Sequence, residues 1–341
     1  MITEIPRENW RRLFKSATDL YKMAPWMVMG DQHVFGLIDP ETGQKCYGTV
    51  MGHMGSYYGM ALYRGKTGYK SMLMLLSEDD SSDPEDALYE QDCLMVAFEE
   101  EQNADGEDIA LMESVAKDVV DIPRVPGFRS YRRGMMPWAI DESEGLLMEA
   151  ATKICMQVAY SLGEDEEYLF PSEEDKGKYR FFRYENGEWT SSWELPDSLV
   201  DFSPPSLKVE KSDAEEIAQL PRQENIWLFE RFFFRHPSMD ESSDRPYFPI
   251  MFLMMDLQTQ MVKGMDVVRP HRLIEDGGEV MLELFQEAGT LPSALVVSNK
   301  ENYILLHTLS RALGLEVHLD EDMQVLPDIK AALYRQMDQE G

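Results

Sequence analysis

The sequence is short of cysteine, of histidine and of positive charge, and each shortage excludes something. Three cysteines in 341 residues (Cys46, Cys93 and Cys155) are odd in number, far apart and without a CxxC pair. That excludes a disulfide framework and fits a reduced compartment, each thiol reading as a small core residue. Six histidines, at positions 33, 53, 236, 271, 307 and 318, form no HxxxH or HExxH pair, and none stands near a cysteine at metal-ligand spacing. No Gly-x-Ser-x-Gly elbow marks a serine nucleophile. Long apolar runs are missing too. The longest, Tyr247–Met255, contains a proline and is about half of the ~20 residues that span a bilayer. The first residues, with Glu4, Glu8, Arg11 and Arg12 close together, lack the apolar core of a signal peptide. These absences predict a cytoplasmic protein with no cofactor and no metal.

What is present in excess is acid. Sixty-three Asp and Glu face 32 Lys and Arg, a net charge of −31, which repels phosphate backbones and disfavours nonspecific nucleic-acid binding. The charge is uneven. Residues 1–75 hold nine basic and six acidic side chains, whereas residues 76–122 hold seventeen acidic and one basic. The acidic stretch reads as a solvated face and loop.

Length and an apolar fraction of 43% suit two domains of about 150 residues. Trp10, Leu13, Phe14, Ala17, Leu20, Tyr21 and Ala24 recur at helical spacing behind Pro6, and Pro25 ends that helix. Short strands are predicted over 26–29, 34–39, 46–51, 57–63 and 69–76, with a hairpin turn at Asp39–Gly43. A polar loop over 77–86 precedes a strand at 92–98 and helices at 107–119 and 141–162. Asn186-Gly187 is the strongest short hairpin signal in the chain, between strands at 178–184 and 188–195. Three prolines mark residues 196–208 as a linker between domains at 1–195 and 209–341. The second domain reads β-β-β-α-β-α-β-α: strands at 226–234, 248–257 and 261–268, a helix at 278–288, a strand at 294–297, a helix at 300–313, a strand at 315–319 and a helix at 324–337. The fold class is α+β. A helix plus an antiparallel meander forms the first domain, and an α/β domain with a mixed sheet forms the second.

Three local features bear on chemistry. Gly65-Lys66-Thr67 ends a segment similar to a phosphate-binding loop, but Gly59 stands one residue too far back and Met60 takes the required glycine's place; a hairpin turn is the better account. Phe128–Arg133 is a basic, aromatic cluster, so Arg129, Arg132 and Arg133 are candidate anion-binding residues. The simpler reading is a strand whose arginines neutralise the acidic stretch. Methionines cluster at 23, 27 and 29 and at 251, 254 and 255; their apolar surroundings favour core packing over an adaptable surface.

From Ile226 onward, the element order, with Arg245–Pro249 leading into Ile250–Asp256 and then Val262-Lys263-Gly264, resembles the ribonuclease H-like fold of integrases and transposases. The resemblance implies a first acid on the opening strand and a second at the end of the strand after the helix. A third acid is implied on a later helix, the three together gathering two metal ions for phosphodiester chemistry. Here the first position falls on Glu230 and the second on Ser298 or Asn299. The third falls among Asp320, Glu321 and Asp322. Ser298 and Glu301 read instead as a capping box. The whole chain also resembles uncharacterised bacterial proteins that pair two domains of unknown function. The resembling residues are Trp10, Pro25-Trp26, Val34–Gly43, Val50–Gly52 and Arg245–Pro249.

The expectation is therefore a non-catalytic protein that binds a protein partner, its second domain a degenerate ribonuclease H-like module without catalytic residues. The alternative is a metal-dependent phosphodiesterase or nuclease using Glu230, Asp256 and Asp322. A third reading is recognition of an anionic ligand by Arg129–Arg133.

Overall fold

The computed structural model describes residues 5–30, 32–76, 88–199, 206–241 and 243–323, with 329, 331–332 and 334–335. The chain divides into two compact units, Met1–Leu199 and Val200–Gly341. The expected loop at 77–86, residues 200–205 of the linker and nearly all of the expected helix at 324–337 lie outside the described residues.

The first unit is built on a seven-stranded sheet, in the order β5-β4-β3-β2-β1-β6-β7. Its strands are β1 (Phe35–Ile38), β2 (Lys45–Met51), β3 (Gly59–Arg64), β4 (Cys93–Glu99), β5 (Val125–Tyr131), β6 (Tyr179–Glu185) and β7 (Glu188–Glu194). Three strands of the expected meander are present as β1 to β3, and β4 and β5 continue it, each strand antiparallel to the next. The β6–β7 hairpin joins it through a parallel pairing of β6 with β1, which makes the sheet mixed. Asn186 and Gly187 both have positive φ, as a two-residue type I′ turn requires.

Both faces of this sheet are covered, so its central strands are buried along nearly their whole length. On one face lie α1 (Arg7–Met23) and α4 (Glu142–Glu164), where Leu13, Phe14 and Leu20 pack with Met148, Ile154 and Cys155 against Phe35, Leu62 and Val96. On the other, Tyr47, Tyr63 and Phe181 pack with Tyr69 and Met72 of α2 (Gly65–Leu76). A further helix among the described residues of the unit, α3 (Gly106–Val115), opens on Asp105, whose side chain accepts from the Glu107 N–H.

Two expected strands are corrected. Residues 26–29 begin with a 3-10 turn, Pro25–Met27, because Ala24 closes α1 in the left-handed conformation and the chain turns at once. Residues 69–76 lie in α2. Their Leu, Met and Lys are helix formers, and the buried positions 65, 68, 69 and 72 follow helical spacing.

The second unit holds a five-stranded sheet in the order β10-β9-β8-β11-β12. β8 (Ile226–Phe233), β9 (Ile250–Asp256) and β10 (Val262–Val268) are antiparallel neighbours. β11 (Ala294–Val297) and β12 (Glu316–Leu319) run parallel to β8. β9, buried at every position, is the centre of the core. The element order through β12 is the one expected, with three differences. A short helix, α5 (Lys211–Ile217), precedes β8. The helix after β10, α6 (Leu273–Ala288), starts five residues early and runs through Gly277-Gly278. A Cβ at Gly278 would strike the Lys208 carbonyl, so that glycine serves close backbone approach and marks no boundary. The expected helix over 300–313 is two, α7 (Lys300–Leu305) and α8 (His307–Leu313), broken at Leu306.

Candidate functional site

β8 carries one acid in an otherwise apolar run. Glu230 is 1% exposed, and a carboxylate so placed needs donors on both oxygens. Its Oε1 accepts from Asn302 Nδ2 at 2.6 Å and from the Arg231 N–H at 3.0 Å. Its Oε2 accepts from the Ser298 hydroxyl. Ser298 follows the end of β11, and Asn302, fully buried, lies in the first turn of α7. The Asn302 Oδ1 in turn accepts from Arg231 Nε at 2.6 Å, while Arg231 Nη2 reaches Glu301 at 2.7 Å. One carboxylate, one hydroxyl, one amide and one guanidinium thus tie β8 to the start of α7.

This geometry corrects the expected capping box. The N-cap of α7 is Asn299, whose Oδ1 accepts from the Asn302 N–H at 2.8 Å. Ser298 points to Glu230 and Glu301 to Arg231. The capping signature was satisfied by sequence spacing, but two charged groups on the neighbouring strand compete more strongly for the same side chains.

Asp256 sits elsewhere. Trp227 pairs with Asp256 across β8 and β9, and Glu230 pairs with Leu253. Three positions separate the two acids, which puts them on opposite faces of the sheet and roughly 10 Å apart along the strand. The Asp256 carboxylate closes the β9–β10 turn, accepting from the N–H groups of Gln258 and Thr259 and from Asn225 Nδ2. The Thr259 N–H, with Asn225, Gln258 and Lys263, holds its pKa below the ordinary carboxylate range. Asp322 is exposed in the turn after β12, its N–H donating to Asp320. The structure therefore joins Glu230 to Ser298 and leaves Asp256 and Asp322 apart. Among the described residues no three His, Cys, Asp or Glu side chains converge as metal ligands.

The arginines of β5 and its continuation each meet a carboxylate. Arg129 makes a two-pronged contact with Asp108 at 2.8 Å and reaches Asp105. Arg133 grips Glu90 and Arg132 lies 3.5 Å from Glu144. Asp105, Asp108 and Glu90 belong to the acidic stretch. The same stitching recurs as Arg11–Asp118, Lys22–Asp121 and Arg124–Glu100.

A second buried polar cluster escaped the sequence. Arg64, at the end of β3, bonds Asp92, the Tyr131 carbonyl and Glu144. Glu144 is 6% exposed, forms a capping box with Asp141 at the start of α4, and also accepts from Ser130. Burial alone would raise the Glu144 pKa. The Ser130 hydroxyl, the Asp141 N–H and Arg64 outweigh it and hold the carboxyl below its ordinary range. The capping-box spacing of Asp141 and Glu144 was a signal for half of this cluster; nothing in the sequence tied Arg64 to it.

Gly65-Lys66-Thr67 is no hairpin turn: β3 runs directly into α2, whose first residue, Gly65, has φ of 58°. A Cβ at Gly68 would lie 2.7 Å from the Asp92 carbonyl oxygen, so the glycine allows the helix to pack against a chain crossing. The histidines are dispersed, His33 accepting from the Gly30 N–H and His53 lying 3.1 Å from the Trp26 carbonyl. All three cysteines are buried, and burial pushes each thiol up, that of Cys46 to about 12. Met29, Met251, Met254 and Met255 are core residues, whereas Met27 is 74% exposed and Met23 39%. No described helix is long and apolar enough to cross a membrane.

No curated protein matches this sequence. Two family models do: a domain of unknown function (DUF6930) matches residues 213–334, and a domain of unknown function (DUF7309) matches residues 10–180. The resemblance to uncharacterised two-domain proteins is borne out. The DUF6930 model takes in Glu230, Ser298 and Asn302, and the DUF7309 model takes in Arg64, Glu144 and the β5 arginines. Since the DUF7309 model covers half of the sequence, the chain belongs to the DUF7309 family of unknown function.

Proposed function

We propose that this is a non-catalytic, cytoplasmic bacterial protein that binds a protein partner. In this reading its domains are residues 1–195 and 209–341, and the second is a ribonuclease H-like module whose metal site has become a hydrogen-bonded clasp. The element order supports the reading: an opening strand with a buried acid, its two antiparallel followers, a helix, and a strand at whose end the second acid would stand. A single observation carries it. The side chain in contact with Glu230 from the end of β11 is the hydroxyl of Ser298, which donates to the carboxylate.

A divalent ion needs oxygen acceptors with free lone pairs. The Glu230 surroundings offer an O–H, an amide N–H and a backbone N–H, with a guanidinium one bond further on. That donor set does not fit a metal, and Asp256 faces the other side of the sheet. Arg129, Arg132 and Arg133, each engaged by carboxylates, are read as charge neutralisers in an acidic chain.

The test is thermal unfolding of the full chain with Mg²⁺ or Mn²⁺ raised to millimolar concentration, against sodium chloride of equal ionic strength. A site filled to a hundred times its Kd would add about 2.7 kcal/mol. The expected result is a melting temperature that does not change with metal concentration, in the native chain and in Glu230→Gln alike. Stabilisation by Mn²⁺ that disappears in Glu230→Gln would overturn the reading and favour the nuclease alternative.

A further inference from the structure

A sheet edge carries a row of unpaired N–H and C=O groups, and proteins blunt such edges with bulges, charges, short strands or covering segments. Three of the four edges here are blunted. β5 is capped by a bridge between Ser130 and Trp138. β10 carries a register shift between Val262 and Gly264, with Lys263 between them. β12 is four residues long. Among the described residues β7 carries no bulge and no bridged segment, and its only charges, Glu188 and Glu194, stand at its two ends. It runs for seven residues in unbroken register with β6, without proline, and Thr190, Ser191 and Ser192 at its middle are exposed.

The hairpin fixes which of its backbone groups are open. In a two-residue turn the flanking pair, Glu185 and Glu188, is a hydrogen-bonded pair, and bonding alternates from there. Glu188, Thr190, Ser192 and Glu194 therefore bond to β6, while the N–H and C=O groups of Trp189, Ser191 and Trp193 point outward.

The strand reads Glu-Trp-Thr-Ser-Ser-Trp-Glu, nearly the same in both directions about Ser191. Pairing about a two-fold axis demands this kind of self-complementarity, in which residue i meets j and j meets i. We infer that β7 pairs antiparallel with β7 of a second copy, centred on Ser191, joining two seven-stranded sheets edge to edge. In that register Trp189 stands opposite Trp193 of the other copy and Thr190 opposite Ser192. Ser191 meets itself, and all three outward-facing residues of each strand fall in hydrogen-bonded pairs. Glu188 comes opposite Glu194, whose carboxylate is already held by Arg183 at 3.2 Å and Lys45 at 3.5 Å. The inference rests on the first unit alone and is independent of the metal test on Glu230.

A seven-residue edge is a small interface, and each copy carries a charge of −31, so association strengthens with protein concentration and with salt. Sedimentation equilibrium of the full chain in about 0.5 M sodium chloride, at concentrations on the order of 1 to 500 µM, tests it. The expected mass rises from the 39.4 kDa monomer toward twice that value. Ser191→Pro removes an outward N–H and spares the ladder to β6, so it is expected to stay monomeric with an unchanged melting temperature. Glu188→Lys, which sets a cation opposite Glu194, is expected to tighten association several-fold. A monomer throughout, a Ser191→Pro chain that associates as the native one does, or no tightening by Glu188→Lys would each overturn the inference.

Discussion

Ser298→Ala removes the hydroxyl that donates to Glu230 Oε2 and that accepts, at the exposed end, from Asn299 Nδ2 at 3.2 Å. Glu230 keeps Asn302 and the Arg231 N–H on its other oxygen, so one charge-assisted hydrogen bond to a buried carboxylate is lost. Such a bond contributes about 1.5–3 kcal/mol. Taking about 2 kcal/mol, the second unit, Val200–Gly341, loses roughly 6 °C in melting temperature. Because the chain has two units, a global melt blurs the effect. Hydrogen exchange read by mass spectrometry on peptides covering β8 and β11 isolates it, and those amides are expected to exchange about thirtyfold faster where the whole unit opens. A double-mutant cycle with Glu230→Gln separates the pair from its surroundings, with an expected coupling of at least about 1 kcal/mol. Exchange in β8 within twofold of the native chain, or an undiminished Ser298→Ala loss in the Glu230→Gln background, would refute the argument that the hydroxyl stabilises this carboxylate.

Arg64→Met takes away the buried cation that Glu144 and Asp92 share, leaving the half-exposed Arg132 at 3.5 Å from Glu144, and is expected to cost the first unit about 3 kcal/mol in urea unfolding at neutral pH. Glu144 has a folded-state pKa below its unfolded value, so its stabilisation is present above the unfolded pKa and is lost as pH falls through the folded one. The acid-side decline in stability is therefore expected to be shallower in Glu144→Gln; a curve of unchanged slope would count against the hub. Asp92, raised by burial against the pull of Arg64, acts in the opposite sense, which is why the Glu144 variant is the comparison of choice. The three thiols, buried and with raised pKa values, are expected to resist a disulfide-exchange reagent in the native chain and to react together on denaturation.

Much of this architecture could be read from pattern. Asn186-Gly187 announced the β6–β7 hairpin, and helical periodicity announced α1 and α4. The sequence of strands and helices from Ile226 to Leu319 followed from apolar runs separated by turns. Short apolar segments were where periodicity failed. Residues 69–76 carry a run that suits a strand or a helix, and only burial on the far side of the sheet decides between them. Leu306 interrupts a segment whose spacing is helical throughout, because the break lies in its backbone angles. The site was half legible. A lone acid inside the apolar run of β8 marks Glu230 as something that must be satisfied, yet its partners stand 68 and 72 residues away. Spacing offered Ser298 a local role, and the nearby carboxylate took it instead.

The parallel pairing of β6 with β1 has a consequence for how the molecule is made. Phe181 takes its place beside Gly36, about 145 residues after that glycine leaves the ribosome. At about 5–20 residues per second, β1 waits roughly 7–30 s for its neighbour, flanked on one side by β2 alone. During that interval a wholly apolar strand, Phe-Gly-Leu-Ile, is the border of a growing sheet. A nascent chain halted before residue 179 would present that border to chaperones or to its own copies, and release past residue 185 would seal it.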